Sequence, residues 1–200
     1  MKKADHLTYN EWKQFERAFD KDVRETDHAE IPVRNRALIE MLFTLTLRVS
    51  DLLALKVKDV EDKNGNIRDK VYVTERKNDN FKGVKIRNKP KKALRDWLDI
   101  ANLKRNDYVF PSPYTDSHIS RQQVNNIIKE KLSEVEFEFD DDKVISTHSG
   151  RKTIARKMYE DGFREQTIRK ALGHGSFETT KKYIGVNQRD VNEALEKVKM

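Results

Sequence analysis

Cysteine is absent from the 200-residue chain, glycine occurs seven times and proline four times. Without cysteine there is no disulfide, no thiolate nucleophile and no cysteine-bearing zinc site. So few chain breakers leave room for few loops, and helix is expected to dominate. Long apolar runs are missing as well. The longest, Met41–Leu47, is interrupted by Thr44 and Thr46 and falls far short of the ~20 residues a membrane span needs. The N-terminal MKKADHLTYNEW lacks the apolar stretch of a secretory signal. There is no G-x-x-x-x-G-K-[ST], no strand-linked G-x-G-x-x-G and no H-E-x-x-H, so nucleotide hydrolysis, dinucleotide chemistry and zincin chemistry have no support. These absences lead to the expectation of a soluble, intracellular protein with no membrane partner.

What is present is charge. Lys and Arg number 41 against 34 Asp and Glu, a formal net charge of +7, and charged residues (38%) outnumber hydrophobic ones (36%). A surplus of that sign suits a polyanionic partner. The length suits one domain over 1–200, and a chain of this size buries ~70% of its unfolded surface, so a core is attainable.

Periodicity predicts the elements. Thr8 and Glu11 form a capping box ahead of a helix with Trp12, Phe15 and Phe19 on one face. Residues 34–47 (RNRALIEMLFTLTL) are apolar on most sides, as in a central buried helix, and Ser50 reads as the N-cap of the next. Residues 57–87 change character: an Asn64-Gly65 turn and a second turn near Lys77–Lys82 separate runs with strand character, which predicts three antiparallel strands. Helices resume after Pro90, with Ser120 and Gln123 as a second capping box. Further helices are expected from about His148 to Asp161, with Gly162 past the end, and over 165–172 and 176–184. Val191, Ala194, Leu195 and Val198 stripe a C-terminal helix over 188–199, suited to docking on its own domain or on a neighbour. The expected class is mainly α with a small three-stranded antiparallel sheet (α+β).

Four segments carry residues suited to phosphate chemistry, and each also has an ordinary structural reading. His148 and Arg151 stand at i and i+3 near a helix N-terminus, where free N–H groups and the helix dipole favour an anion. His174 lies in the turn between two short helices, with Tyr183 nine residues on; the histidine suits a helix C-terminus and the tyrosine a half-buried core position. Arg48 enters an apolar neighbourhood and needs an anion, either Asp51 three residues on or a bound phosphate. Lys77 sits at the tip of a predicted hairpin, with Lys82 and Lys85 as competitors. The run Asp140-Asp141-Asp142 reads as a solvated acidic loop rather than a cation site, because three adjacent side chains cannot all face one ion.

In order, type and spacing these four segments resemble the catalytic domain of the tyrosine recombinases, the phage-integrase class. TLTLRVSDLLAL, with Arg48 and Asp51, is similar to that family's T-G-L-R-x-S-E box. Lys77 stands where its hairpin lysine is found, HSGRK (His148, Arg151) where it has H-x-L-R-H, and LGHGSFETTKKY (His174, Tyr183) where it has L-G-H followed by the tyrosine. The resemblance spans roughly 7–190. Three departures stand out: Thr46 for a glycine, Gly150 for a leucine, and Lys152 for a histidine. The chain also begins almost where the catalytic domain should, so no N-terminal core-binding domain is expected within it.

The resemblance implies a site-specific recombinase that cleaves and rejoins DNA without a cofactor or metal, with six catalytic residues: Arg48, Lys77, His148, Arg151, His174 and Tyr183. Tyr183 is then the nucleophile and forms a 3′-phosphotyrosyl intermediate. Arg48 and Arg151 hold the non-bridging oxygens, and His174 bonds one of them. His148 assists deprotonation of Tyr183, and Lys77 protonates the departing 5′-oxygen. Lys82, Lys85, Arg87, Arg121, Lys152, Lys181 and Lys182 are candidate contacts to double-stranded DNA. A homo-oligomer on DNA is expected, with the tail 187–200 available for exchange between protomers and a second protein available to supply core binding. The expected setting is the nucleoid of a bacterial-type cytoplasm. The competing reading is a non-catalytic, repressor-like regulator on the same fold, and a third is a helical domain that binds no nucleic acid.

Overall fold

The computed structural model describes residues 4–27, 29–75, 81–135, 143–185 and 196. Lys77, the Asp140–Asp142 run and nearly all of the expected C-terminal helix lie outside these residues.

The chain opens as its capping box dictates. Helix α1 (Tyr9–Glu25) begins with Glu11 N–H bonded to Thr8 Oγ1 at 3.3 Å and Thr8 N–H bonded to Glu11 Oε2 at 2.5 Å. Phe15 and Phe19 are fully buried, and Trp12 stacks on Phe43 with centroids 4.9 Å apart. Helix α2 (Glu30–Thr44) is the hub, with every residue from Ala37 to Phe43 buried. It ends where Leu45 turns extended, and Leu45 and Leu47 continue into the core.

The next helix starts earlier than Ser50 predicts. α3 (Val49–Leu53) is capped at Arg48, whose carbonyl accepts from Asp51 and Leu52 N–H, so Ser50 is an internal residue. One turn of helix, α4 (Val57–Val60), follows.

The expected three-stranded sheet has only two strands among the described residues, β1 (Lys70–Thr74) and β2 (Phe81–Lys85), paired antiparallel. The run expected as the first strand is committed elsewhere. Lys56 N–H is capped by Asp59 Oδ2 at 2.8 Å, and Val57 and Lys58 N–H bond to the carbonyls of Asp107 and Arg105. Asp62 takes the N–H groups of Asn64 and Asn66, so the Asn64-Gly65 turn closes only one bridge, Glu61 to Ile67. Register in the remaining pair sets Val73 opposite Lys82 and Val71 opposite Val84. With a period of two, Val71, Val73 and Glu75 share one face, and that face is buried.

Helix α5 (Asn88–Ile100) packs on α2 and buries Trp97, whose Nε1–H donates to Val109 carbonyl at 2.7 Å. α6 (Arg121–Glu134) opens with the second capping box, Ser120 and Gln123. α7 (Ser149–Glu160), α8 (Glu165–Leu172) and α9 (Phe177–Ile184) pack around a second small core of Ala155, Ile168, Leu172 and Ile184. α7 also lies against α2. Gly150 permits this, because a Cβ there would drive into the main chain at Leu42 and Phe43. Among the described residues no helix is long and apolar enough to cross a membrane.

Candidate active site

The residues of interest come from separate parts of the chain and meet beside the start of α3, the two strands and the α8–α9 turn. Arg151 lies on the first turn of α7 and is 2% exposed. Its Nη1 donates to Thr46 carbonyl, its Nη2 to Leu172 carbonyl at 2.5 Å, and the same Nη2 lies 3.4 Å from His174 Nε2. Its Nε has no hydrogen-bond partner among the described residues. Burial, then the charge of Arg48, presses the guanidinium pKa downward, but arginine stays charged in proteins.

One glycine, Gly173, sets the turn that carries His174. Gly173 ends α8 with φ at +65°, a left-handed conformation that glycine adopts without penalty. His174 Nδ1 lies 3.2 Å from Thr180 Oγ1, and Thr180 Oγ1–H donates to Ser176 carbonyl. These bonds assign the tautomer with the proton on Nδ1 and Nε2 accepting from Arg151; a neutral ring so held has no N–H left for the non-bridging oxygen that the resemblance gives it. Burial, then Arg151 and Arg48, pushes the pKa of His174 down to about 4, so the ring is neutral near pH 7. The Tyr183 ring stands edge-on to His174 with centroids 4.6 Å apart, and the Arg151 guanidinium lies 6.0 Å from the Tyr183 centroid. Tyr183 is half-buried and packs against the second core, as its structural reading expects.

Arg48 has an anionic partner that the sequence reading did not find. Its Nη1 is 2.8 Å from Glu75 Oε1 and 3.9 Å from Asp51 Oδ2. Glu75 also pairs with Lys82 Nζ at 2.9 Å, and Lys82 donates to Thr46 carbonyl at 3.2 Å. Burial works to raise the Glu75 pKa, but Lys82 and Arg48 outweigh it and hold the carboxyl below its ordinary range. For Lys82, burial is the largest influence and, with Arg151 and Arg48, draws its pKa below that of a free lysine. Lys82 was expected only as a DNA contact or as a competitor of Lys77; it stands inside the cluster. Strand alternation held the signal for both residues, since Glu75 continues the inward face of Val71 and Val73, and Lys82 shares the face of Val84.

His148 is the N-cap residue of α7, half-buried, with its N–H bonded to Ser146 Oγ. Burial, then Arg121, Arg151 and Lys152, lowers its pKa. Of the surface candidates, Lys85, Arg87, Arg121, Lys181 and Lys182 are exposed. Lys152 is not: it is 8% exposed and its ammonium is held by Ala4 carbonyl. Among the described residues no cluster of His, Asp or Glu has the arrangement of a metal site.

A seat lined by Arg48, Arg151 and Lys82, with a neutral histidine and a tyrosine at its edge, suits a phosphate diester beside a nucleophile. Comparison with known proteins bears on the family and the fold. The chain is 32% identical over 152 residues to a probable integrase/recombinase, YoeC, of Bacillus subtilis, covering 76% of this chain and 77% of that one. It is 30% identical over 177 residues to the tyrosine recombinase XerC of Erythrobacter litoralis, covering 88% of this chain and 54% of the relative. Its fold superimposes on the XerA recombinase with a TM-score of 0.75 at 23% identity, covering 98% of this chain and 64% of XerA. It superimposes on XerH bound to a palindromic difH substrate in a post-cleavage complex with a TM-score of 0.74 at 23% identity, covering 96% of this chain and 52% of XerH. The chain thus spans about half the length of relatives such as XerC. The phage integrase family profile matches residues 7–190, and the chain belongs to that family, the tyrosine recombinases.

Proposed function

We propose that the chain cleaves and rejoins DNA at specific sites through a 3′-phosphotyrosyl intermediate. The observation that carries this reading is the convergence of Arg48, Arg151, His174 and Tyr183 on one seat, from the start of α3, α7, the α8–α9 turn and α9. Tyr183 Oη attacks the scissile phosphorus as the bond to the 5′-oxygen breaks. The tyrosine proton passes to His148, and the 5′-oxygen takes a proton from a lysine, for which Lys77 is proposed. Negative charge spreads over the non-bridging oxygens, where Arg48, Arg151 and Lys82 supply positive charge already in place. Such preorganised donors commonly contribute ~10²–10³ each in rate. Arg151 Nε, a buried donor with no hydrogen-bond partner among the described residues, is proposed to turn to the phosphate when it binds. A 5′-hydroxyl of another strand reverses the step.

Arg121 beside His148, with Lys85, Arg87, Lys181 and Lys182 on the exterior, is proposed to follow the DNA backbone, which makes binding weaken with salt. Assembly of several copies on paired DNA sites, exchange of the tail 187–200, a second protein for core binding, and action in a bacterial cytoplasm belong to the same proposal.

Covalent trapping tests it. Nicked duplexes from the chain's native genetic neighbourhood, designed so that the cleaved strand diffuses away, are incubated with the wild type and with Tyr183→Phe. The expected result is a denaturant-resistant protein–DNA adduct that the variant does not form. Equal DNA binding by both without an adduct selects the regulator reading instead.

A further inference from the structure

The least expected member of the cluster is its anion. Glu75 is 0% exposed, whereas the side chains of Arg48 and Lys82 keep 20% and 15% of their surface. The carboxylate therefore lies on the protein side of the two cations, and a phosphate arriving from solvent meets the cations first. Both cations pair with the same oxygen, Oε1. The other oxygen faces the α8–α9 turn: a Cβ on Gly173 would stand 2.6 Å from Oε2. Glu75 thus touches three parts of the site at once, namely Arg48 at the start of α3, Lys82 on β2 and the turn that presents His174.

We infer that Glu75 is a positioning residue for strand transfer, holding Arg48 and Lys82 together behind the phosphate seat and fixing the turn of His174 against them. This rests on the strand-transfer reading above. Without an anion between them, Arg48, Lys82 and Arg151 repel one another, and in a weakly solvated site the repulsion is not screened. The same reasoning separates positioning from obstruction. A carboxylate in the seat itself would compete with the phosphate, and its removal would accelerate cleavage. A carboxylate behind the cations sets their direction, and its removal slows cleavage. Binding responds oppositely, because losing a negative charge leaves the seat more positive and DNA is held as tightly or more tightly.

The test compares wild type, Glu75→Gln and Glu75→Asp for thermal melting, duplex affinity, and single-turnover cleavage of the trapping substrate at saturating protein. The expected result is a cleavage rate lower by on the order of 10- to 100-fold in Glu75→Gln, with affinity unchanged or increased. Glu75→Asp, which keeps the charge on a shorter arm, is expected between the two. Should Glu75→Gln fail to fold, Glu75→Asp decides by the same split between rate and affinity. A rate within about twofold of wild type, a faster rate, or parallel losses of rate and affinity overturns the inference while leaving strand transfer intact. A wild type that forms no Tyr183-dependent adduct overturns the strand-transfer reading and this inference with it.

Discussion

Arg151 and Lys82 donate to one oxygen, the main-chain carbonyl of Thr46, although one stands on α7 and the other on β2. That carbonyl belongs to the extended link between α2 and α3, so the placement of two cations depends on how α2 ends. The arrangement needs the planar guanidinium fork, since Arg151 also reaches Leu172 carbonyl and His174 Nε2. A lysine keeps the charge but not the fork. Arg151→Lys is therefore expected to lower single-turnover cleavage by roughly 10²–10³, with a much smaller change in duplex affinity. It should also melt earlier, because a buried carbonyl left without its donor costs about 1–3 kcal/mol. Cleavage and calorimetry on the same preparation check both halves.

His174 is predicted to titrate far from the ordinary histidine range. Burial and two arginines push its pKa down to about 4, against 6.5 for an unperturbed ring. The unfolded chain then binds more protons here than the folded one between pH 4 and 6.5. This group's contribution is present above pH 6.5 and is lost as the pH falls towards 4. Ring-proton NMR should place the His174 titration near pH 4. Thr180→Val removes the acceptor for Nδ1–H, and the expected result is a displaced titration together with cleavage slowed by on the order of tenfold. An unchanged His174 titration in that variant would show that Thr180 does not fix the tautomer.

Much of this architecture was legible in the residues, for a local reason. Both capping boxes, the helices over 165–172 and 176–184, and the buried face of α2 are set by short-range rules: cap chemistry, a period of 3.6 and glycine at a left-handed C-cap. The missing third strand was a failure of the same local logic. Strand character near Val57–Val60 lost to hydrogen bonds with Asp107 and Arg105, almost fifty residues away. In the site, the arginines, histidines and tyrosine were visible as types at given spacings, whereas their partners were not. Thr46 and Leu172 contribute through carbonyls, which carry no sequence signal. Glu75 was visible only to an alternation argument that ran past the end of the strand.

Gly150, one of the departures from the family pattern, has a packing cause. A Cβ at this position would meet the Leu42 carbonyl and Phe43 Cα. These are backbone atoms in the last turn of α2, and they cannot swing aside as a side chain could. Gly150→Ala is expected to destabilise by roughly 1–3 kcal/mol through overpacking, which in a chain of this size lowers the melting temperature by about 2–4 °C per kcal/mol. Because the shift moves the first turn of α7, it also moves Arg151, so cleavage should fall more steeply than stability alone requires. Thermal melting with cleavage measured well below the transition separates the two. Gly175→Ala, where no atom lies within 4 Å of the added carbon, serves as the control.

Glu40 and Glu16 supply a pH dependence away from the proposed seat. Both are buried, and both pair with the Lys89 ammonium, at 3.2 and 2.6 Å. Lys13 and Lys89 hold Glu16 below the ordinary carboxylate range against the effect of its burial. For Glu40, burial comes first and the neighbouring Glu16 second, and together they push its pKa up to about 7. The folded chain then binds more protons at Glu40 than the unfolded one between pH 4.5 and 7. The contribution of Glu40 is therefore complete below pH 4.5 and is lost as the pH rises through 7. Glu40→Gln keeps a donor towards Glu16 but cannot ionise. It is expected to be more stable than wild type at pH 8, on the order of 1–3 kcal/mol, and to bring the two close together at pH 5. Urea titrations at those two pH values check the sign. Greater stability of wild type than of Glu40→Gln at pH 8 would mean that Glu40 is ionised there and stabilised by Lys89, and that the attraction of one ammonium outweighs the burial of two carboxylates.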